Sequence, residues 1–161
     1  MKYLIQTITT ILLCATIAFA QKTLIHAGSM IDGATKKMKT KQTIIIENGV
    51  IVDVKNGYTK AKSSDTVIDL KNATVTPGWM DLHVHLGSQS SPKSYSEDFY
   101  LNPEDFAYRS VPWVEKTLLA GFTTVRDVGG EVVLAARDAI NKGYIKGPRI
   151  FSAGRSIGTT G

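Results

Sequence analysis

The chain has 161 residues, 43% hydrophobic and 20% charged, with 14 Gly and 5 Pro, which excludes low-complexity and collagen-like chains. The formal net charge of +5 is too mild to imply a polyanion partner. The densest basic stretch, Lys36, Lys37, Lys39 and Lys41, has no interleaved aromatics, so it reads as a solvated loop and no nucleic-acid partner follows.

Residues 1–20 read as a secretory signal peptide. Lys2 supplies the positive start, Tyr3 to Phe19 is uncharged and mostly apolar, and Ala18-Phe19-Ala20 is a small-x-small cleavage site before Gln21. Gln6, Thr7, Thr9, Thr10 and Thr16 keep the run below the ~20 strongly apolar residues of a spanning helix. The expectation is an exported chain, periplasmic or extracellular, with no membrane association after cleavage. The single cysteine, Cys14, lies in this segment. The mature chain then has no disulfide and depends on a core or a metal.

Residues 21–76 are strand-like. Thr23 to His26, Thr43 to Glu47, Val50 to Val54 and Thr66 to Leu70 are short, rich in β-branched residues and bounded by Gly, Asn, Asp or Lys. Asn48-Gly49 predicts a two-residue hairpin turn, because both positions need positive φ. This region is expected to be a small β-sandwich or half of one.

From residue 77 the pattern changes to alternating strands and helices. An extended apolar run reaches His85. Pro103 to Ala120 has helical spacing with Gly121 as its C-cap, and Pro112 predicts a kink or a fresh turn. Phe122 to Val125 is a buried-type strand, Glu131 to Asn141 a helix with Gly143 past its end, and Arg149 to Ala153 a third strand. The β-α-β-α-β order implies a parallel sheet with right-handed crossovers.

His83-Val84-His85 is the chemistry-bearing feature. On a strand, residues two apart share a face, so both imidazoles can reach one metal while Val84 points into packing. The pair ends the first strand of the β/α series, the end at which barrel active sites lie. A catalytic zinc takes three protein ligands plus water. The chain has only three His, and His26, in the upstream strands, reads as a strand-face or solvent residue. Asp81 precedes His83 by two and by alternation shares its face, either as a buried orienting group or as a metal contact. Asp127, ending the second strand, emerges on the rim beside His85 or satisfies loop amides near Gly129-Gly130. Arg126 is its partner or an outward-facing strand residue. Gly129-Gly130 lacks the spacing of a dinucleotide-binding loop. Trp79, Trp113, Tyr95, Phe99 and Tyr100 are read as core residues or as the lining of a cleft. The serine-rich stretch from Gly87 to Asn102 is a lid or substrate-contact loop, or a plain connection.

The run Thr76-Pro77-Gly78-Trp79-Met80-Asp81-Leu82-His83-Val84-His85-Leu86 resembles the metal-binding signature of the amidohydrolase superfamily. Ile31-Asp32-Gly33 and Ile46 to Ile51 are similar to that family's N-terminal sandwich strands. Gly121 to Asp127, Gly147 to Ile150 and Thr159 to Gly161 resemble its imidazolonepropionase-like and Xaa-Pro dipeptidase-like branch. The resemblance implies an α/β chain: a small β-sandwich domain over 21–76, then over 77–161 the first β/α units of a (β/α)₈ TIM barrel, truncated and with an open sheet edge. His83 and His85 would be ligands to one or two divalent ions, with zinc expected. The carboxylated lysine, further histidines and aspartate of the family would lie outside this sequence, so no general base is named here. The implied reaction is metal-assisted hydrolysis of an amide or peptide C–N bond in a small molecule or short peptide, by a dipeptidase or carboxypeptidase-like enzyme, with a homo-oligomer as a further expectation. A cyclic-amide hydrolase or deaminase, and a non-catalytic secreted β-rich binding module, are the alternatives.

Overall fold

The computed structural model describes residues 21–155 and 157–159. The signal-peptide reading of residues 1–20 lies outside the described residues, as do Ser156, Thr160 and Gly161. The chain forms two compact units with their boundary between Pro77 and Gly78.

The first unit is one four-stranded mixed sheet of β1 (Lys22–Met30), β2 (Lys39–Glu47), β3 (Val50–Asn56) and β4 (Thr66–Val75), ordered β3-β2-β1-β4. The hairpin between β2 and β3 turns at Asn48 and Gly49, whose φ angles are 50° and 77°, the positive pair that a type I′ turn requires. β1 pairs antiparallel with β2 and parallel with β4, so the β2–β3 hairpin and the segment after it serve as the crossover. Leu24, Ala27, Met30, Ile44 and Ile45 are buried. The sandwich expectation thus meets a single sheet, one half of such an arrangement. His26, expected as a strand-face or solvent residue, is a buried residue of β1, with its Nε2 3.0 Å from the Thr59 carbonyl. Of the basic stretch read as a loop, Lys39 and Lys41 instead lie in β2, where Lys39 pairs with Asp32 at 2.6 Å. That contact and the Thr35 and Ala34 amides hold the Asp32 carboxyl well below its ordinary range.

The second unit is a parallel sheet of β5 (Trp79–Val84), β6 (Phe122–Asp127) and β7 (Arg149–Ser152), in that order. Its helices are α1 (Ser94–Glu97), α2 (Pro103–Leu119) and α3 (Val132–Asn141). α2 starts where Pro103 fits the first helical turn and the Asp105 carboxylate accepts the Asn102 amide at 2.9 Å. It ends at Gly121, φ 97°. The helix continues through Pro112 instead of restarting there; the Tyr108 carbonyl that loses its donor belongs to an exposed residue, where water can serve it. Leu86, Val114, Val125, Val133 and Ile150 form the core, with Val84, Phe122, Ile140 and Ile145 packed against it. β5 and β7 are the sheet edges, and Met80, Leu82 and Phe151 are exposed along them.

β5 begins at a close approach. A Cβ at Gly78 would overlap the Thr123 side chain of β6. Gly78→Ala is expected to cost about 1–3 kcal/mol, the usual result of overpacking, measured as a lower denaturant midpoint with unchanged slope.

Candidate metal centre

The sequence places both histidines at the C-terminal end of β5 because Trp79 to Val84 is extended and Leu86, just beyond, anchors in the core. Val84 packs against that core while His83 and His85 are exposed. Their rings lie edge to face with centroids 5.5 Å apart. Two imidazoles sharing one ion through nitrogens about 2.1 Å from it would have centroids roughly 5 Å apart. The observed spacing is close to that value, so the donor chemistry and separation of the pair suit two ligands of one divalent ion. Among the described residues no three His, Cys, Asp or Glu gather into a fuller ligand set.

A register shift in β5 lies between Asp81 and Val84. The β5–β6 register pairs Asp81 with Val125 and then Val84 with Asp127, three steps on one strand against two on the other. This is a β-bulge, and strict period two fails across it. The Asp81 Oδ1 accepts the backbone N–H of His83 at 3.0 Å. Arg126 is exposed on β6 and its Nε donates to the Leu82 carbonyl at 2.8 Å, so its hydrogen bond runs across to β5.

Asp127 is fully buried. One carboxylate oxygen accepts the Leu86 N–H at 2.6 Å and the other the Gly129 N–H at 3.1 Å. The Val128 N–H reaches back to the Val84 carbonyl at 3.2 Å. The end of β5 that carries His85 is thereby tied to the end of β6. The sequence showed Asp127 at a strand end, but its partner Leu86 lies 41 residues away, and no local signal names it.

His85 and Asp81 border a depression of about 320 Å³ with Gln89, Trp113 and Lys116. Ser88, Gln89 and Trp113 also border a second one of about 510 Å³, which reaches the Arg109–Glu97 ion pair. Of the aromatics, Trp113 lines these depressions, whereas Tyr95, Phe99, Tyr100 and Trp79 are exposed and not core residues. Tyr95 and Phe99 stack edge to face across one turn at 5.2 Å, while Trp79 packs edge-on against Phe122 at 5.8 Å. The loop after His85 is held by its own serines: the Ser91 amide donates to Ser94 Oγ at 2.8 Å, and that hydroxyl donates to the Gln89 carbonyl at 3.1 Å.

Residues 74–160 match the model of the amidohydrolase family. A solved Xaa-Pro dipeptidase with methionine bound in its active site is 40% identical with a TM-score of 0.81, over 88% of this chain and 35% of that one. The ochratoxinase of Aspergillus niger is 26% identical over 88% of this chain and 30% of its own length. A 5'-deoxyadenosine deaminase of Methanosarcina mazei is 30% identical over 64% of this chain and 22% of its own. The chain spans about a third or less of the length of the relatives it matches. The four-stranded unit followed by parallel β/α units is the N-terminal portion of the TIM-barrel architecture of these relatives.

Proposed function

Because the chain belongs to the amidohydrolase family, we propose that the whole protein hydrolyses an amide or peptide C–N bond of a small substrate, with His83 and His85 holding a divalent metal. The observation that carries this reading is the ring pair at the end of β5, side by side and opposite the core-facing Val84. His83 and His85 would hold the ion, zinc being the expected one, which when bound would supply Lewis acidity to acidify water and polarise a substrate carbonyl. In this reading the chain's own residues orient the pair: Asp127 ties down the strand end just past His85 by accepting the Leu86 N–H, and Asp81 accepts the N–H of His83. The loop leaving His85 and the face of α2 that carries Trp113 border the adjoining depressions, which suit a short peptide or another small amide.

The test is hydrolysis of a panel of dipeptides and N-acyl amino acids by the full natural protein, before and after chelation. Cleavage that disappears on chelation and returns with zinc supports the reading. Cleavage that survives metal removal, or none of any C–N substrate, overturns it. A deaminase is the second reading, favoured by the similarity to the adenosine-type deaminase. Metal-dependent ammonia release from an aminopurine nucleoside, with the peptides untouched, would select it.

A further inference from the structure

The bulge in β5 leaves one peptide group outside the ladder. The register passes from the Asp81–Val125 pair to the Val84–Asp127 pair, skipping the peptide that joins Leu82 to His83. Backbone polar groups need partners, and here both come from side chains. The Leu82 carbonyl accepts from Arg126 Nε at 2.8 Å, and the His83 N–H donates to Asp81 Oδ1 at 3.0 Å. In a planar trans peptide these two groups point in opposite directions. The plane is therefore held from both sides, by β6 through Arg126 and by β5 itself through Asp81. The two bonds restrain the Leu82 ψ and the His83 φ, and an uncompensated change in either would re-aim the His83 Cα–Cβ bond, and with it the imidazole that lies 5.5 Å from the His85 ring, centroid to centroid.

We propose that Asp81 and Arg126 are positioning residues that set the orientation of His83 by clamping the Leu82–His83 peptide. The inference rests on the reading of His83 and His85 as metal ligands. Neither residue needs to touch the ion: Asp81 acts as an acceptor for a backbone N–H, and Arg126 as a donor to a backbone carbonyl. An acceptor role is satisfied equally by an amide oxygen. Asn at position 81 should therefore do what Asp does, which would not hold for a carboxylate ligand.

The experiment uses the full natural protein and zinc alone as the probe. It compares Arg126→Met, Arg126→Lys, Asp81→Ala, Asp81→Asn and His83→Ala by chelator competition. Denaturant midpoints and His83 amide exchange are measured on the metal-free forms. Arg126→Met and Asp81→Ala are expected to weaken zinc about 10–100-fold, as for other losses of an outer hydrogen-bond partner, with midpoints near that of the parent. Arg126→Lys and Asp81→Asn should recover most of the affinity, and the His83 amide should exchange faster in Asp81→Ala. If Arg126→Met and Asp81→Ala bind zinc as the parent does while His83→Ala loses it, the clamp is overturned and the metal reading stands. If His83→Ala binds zinc as the parent does, the metal reading falls and the clamp with it. A loss in Asp81→Asn as large as in Asp81→Ala overturns the acceptor role. An affinity loss matched by a lowered midpoint overturns positioning in favour of plain stability.

Discussion

His83→Ala and His85→Ala, each made in the full natural protein, are expected to remove bound zinc and hydrolysis together. The loss should exceed the about 10–100-fold that an outer partner's removal costs, because each substitution deletes a ligand. Stability should hardly move. Both side chains are exposed, and exposed substitutions away from packing usually fall within about 0.5 kcal/mol. The neighbouring contacts that anchor this strand end, Val84 against the core and the Leu86 amide on Asp127, are left in place. Zinc content by elemental analysis and the unfolding midpoint of the metal-free protein read the two quantities separately. Full zinc retention in either variant would remove that histidine from the proposed site.

Asp127→Ala is expected to act in the opposite way, through stability first. The carboxylate is fully buried and accepts the Leu86 and Gly129 amides. Its removal leaves two N–H groups without their acceptor, each costing about 1–3 kcal/mol when buried, so a loss of about 3 kcal/mol is expected. Asp127→Asn keeps one oxygen but presents an NH₂ toward the other amide, and should retain only part of the stability. Loss of exchange protection at Leu86 and Gly129 would accompany the lower midpoint. An unfolding free energy within about 1 kcal/mol of the parent's would show that water or a shifted backbone replaces the carboxylate. The Leu86 amide lies one residue past His85, so zinc affinity should weaken along with stability in this variant. His83→Ala and His85→Ala should separate the two.

These two outcomes separate what local sequence encodes from what it does not. The turn at Asn48-Gly49, the start of α2 at Asn102-Pro103 and the stops at Gly121 and Gly143 follow from φ preferences and capping within a few residues. The closeness of the two imidazoles follows from their placement either side of an inward-packing valine. None of this requires knowledge of the tertiary fold. The irregularity beside Asp81 was not legible in the same way, because alternation assumes an uninterrupted ladder. The extra residue shows only in the register against β6.

The hairpin, the parallel β/α series and the two histidines at its first strand end were legible in the sequence, since each depends on periodicity or backbone preference over a short span, whereas the short helix α1 falls in a stretch read as a loop. Of the groups that hold this strand end, Asp81 is two residues from His83 and was a candidate in the sequence, whereas the contacts of Arg126 and Asp127 follow only from the fold. Arg126 meets the Leu82 carbonyl across 44 residues and Asp127 meets the Leu86 amide across 41. A buried carboxylate or a long guanidinium takes whichever backbone group the sheet register leaves unpaired. That register is set by the packing of Val84, Val125 and Ile150 into one core.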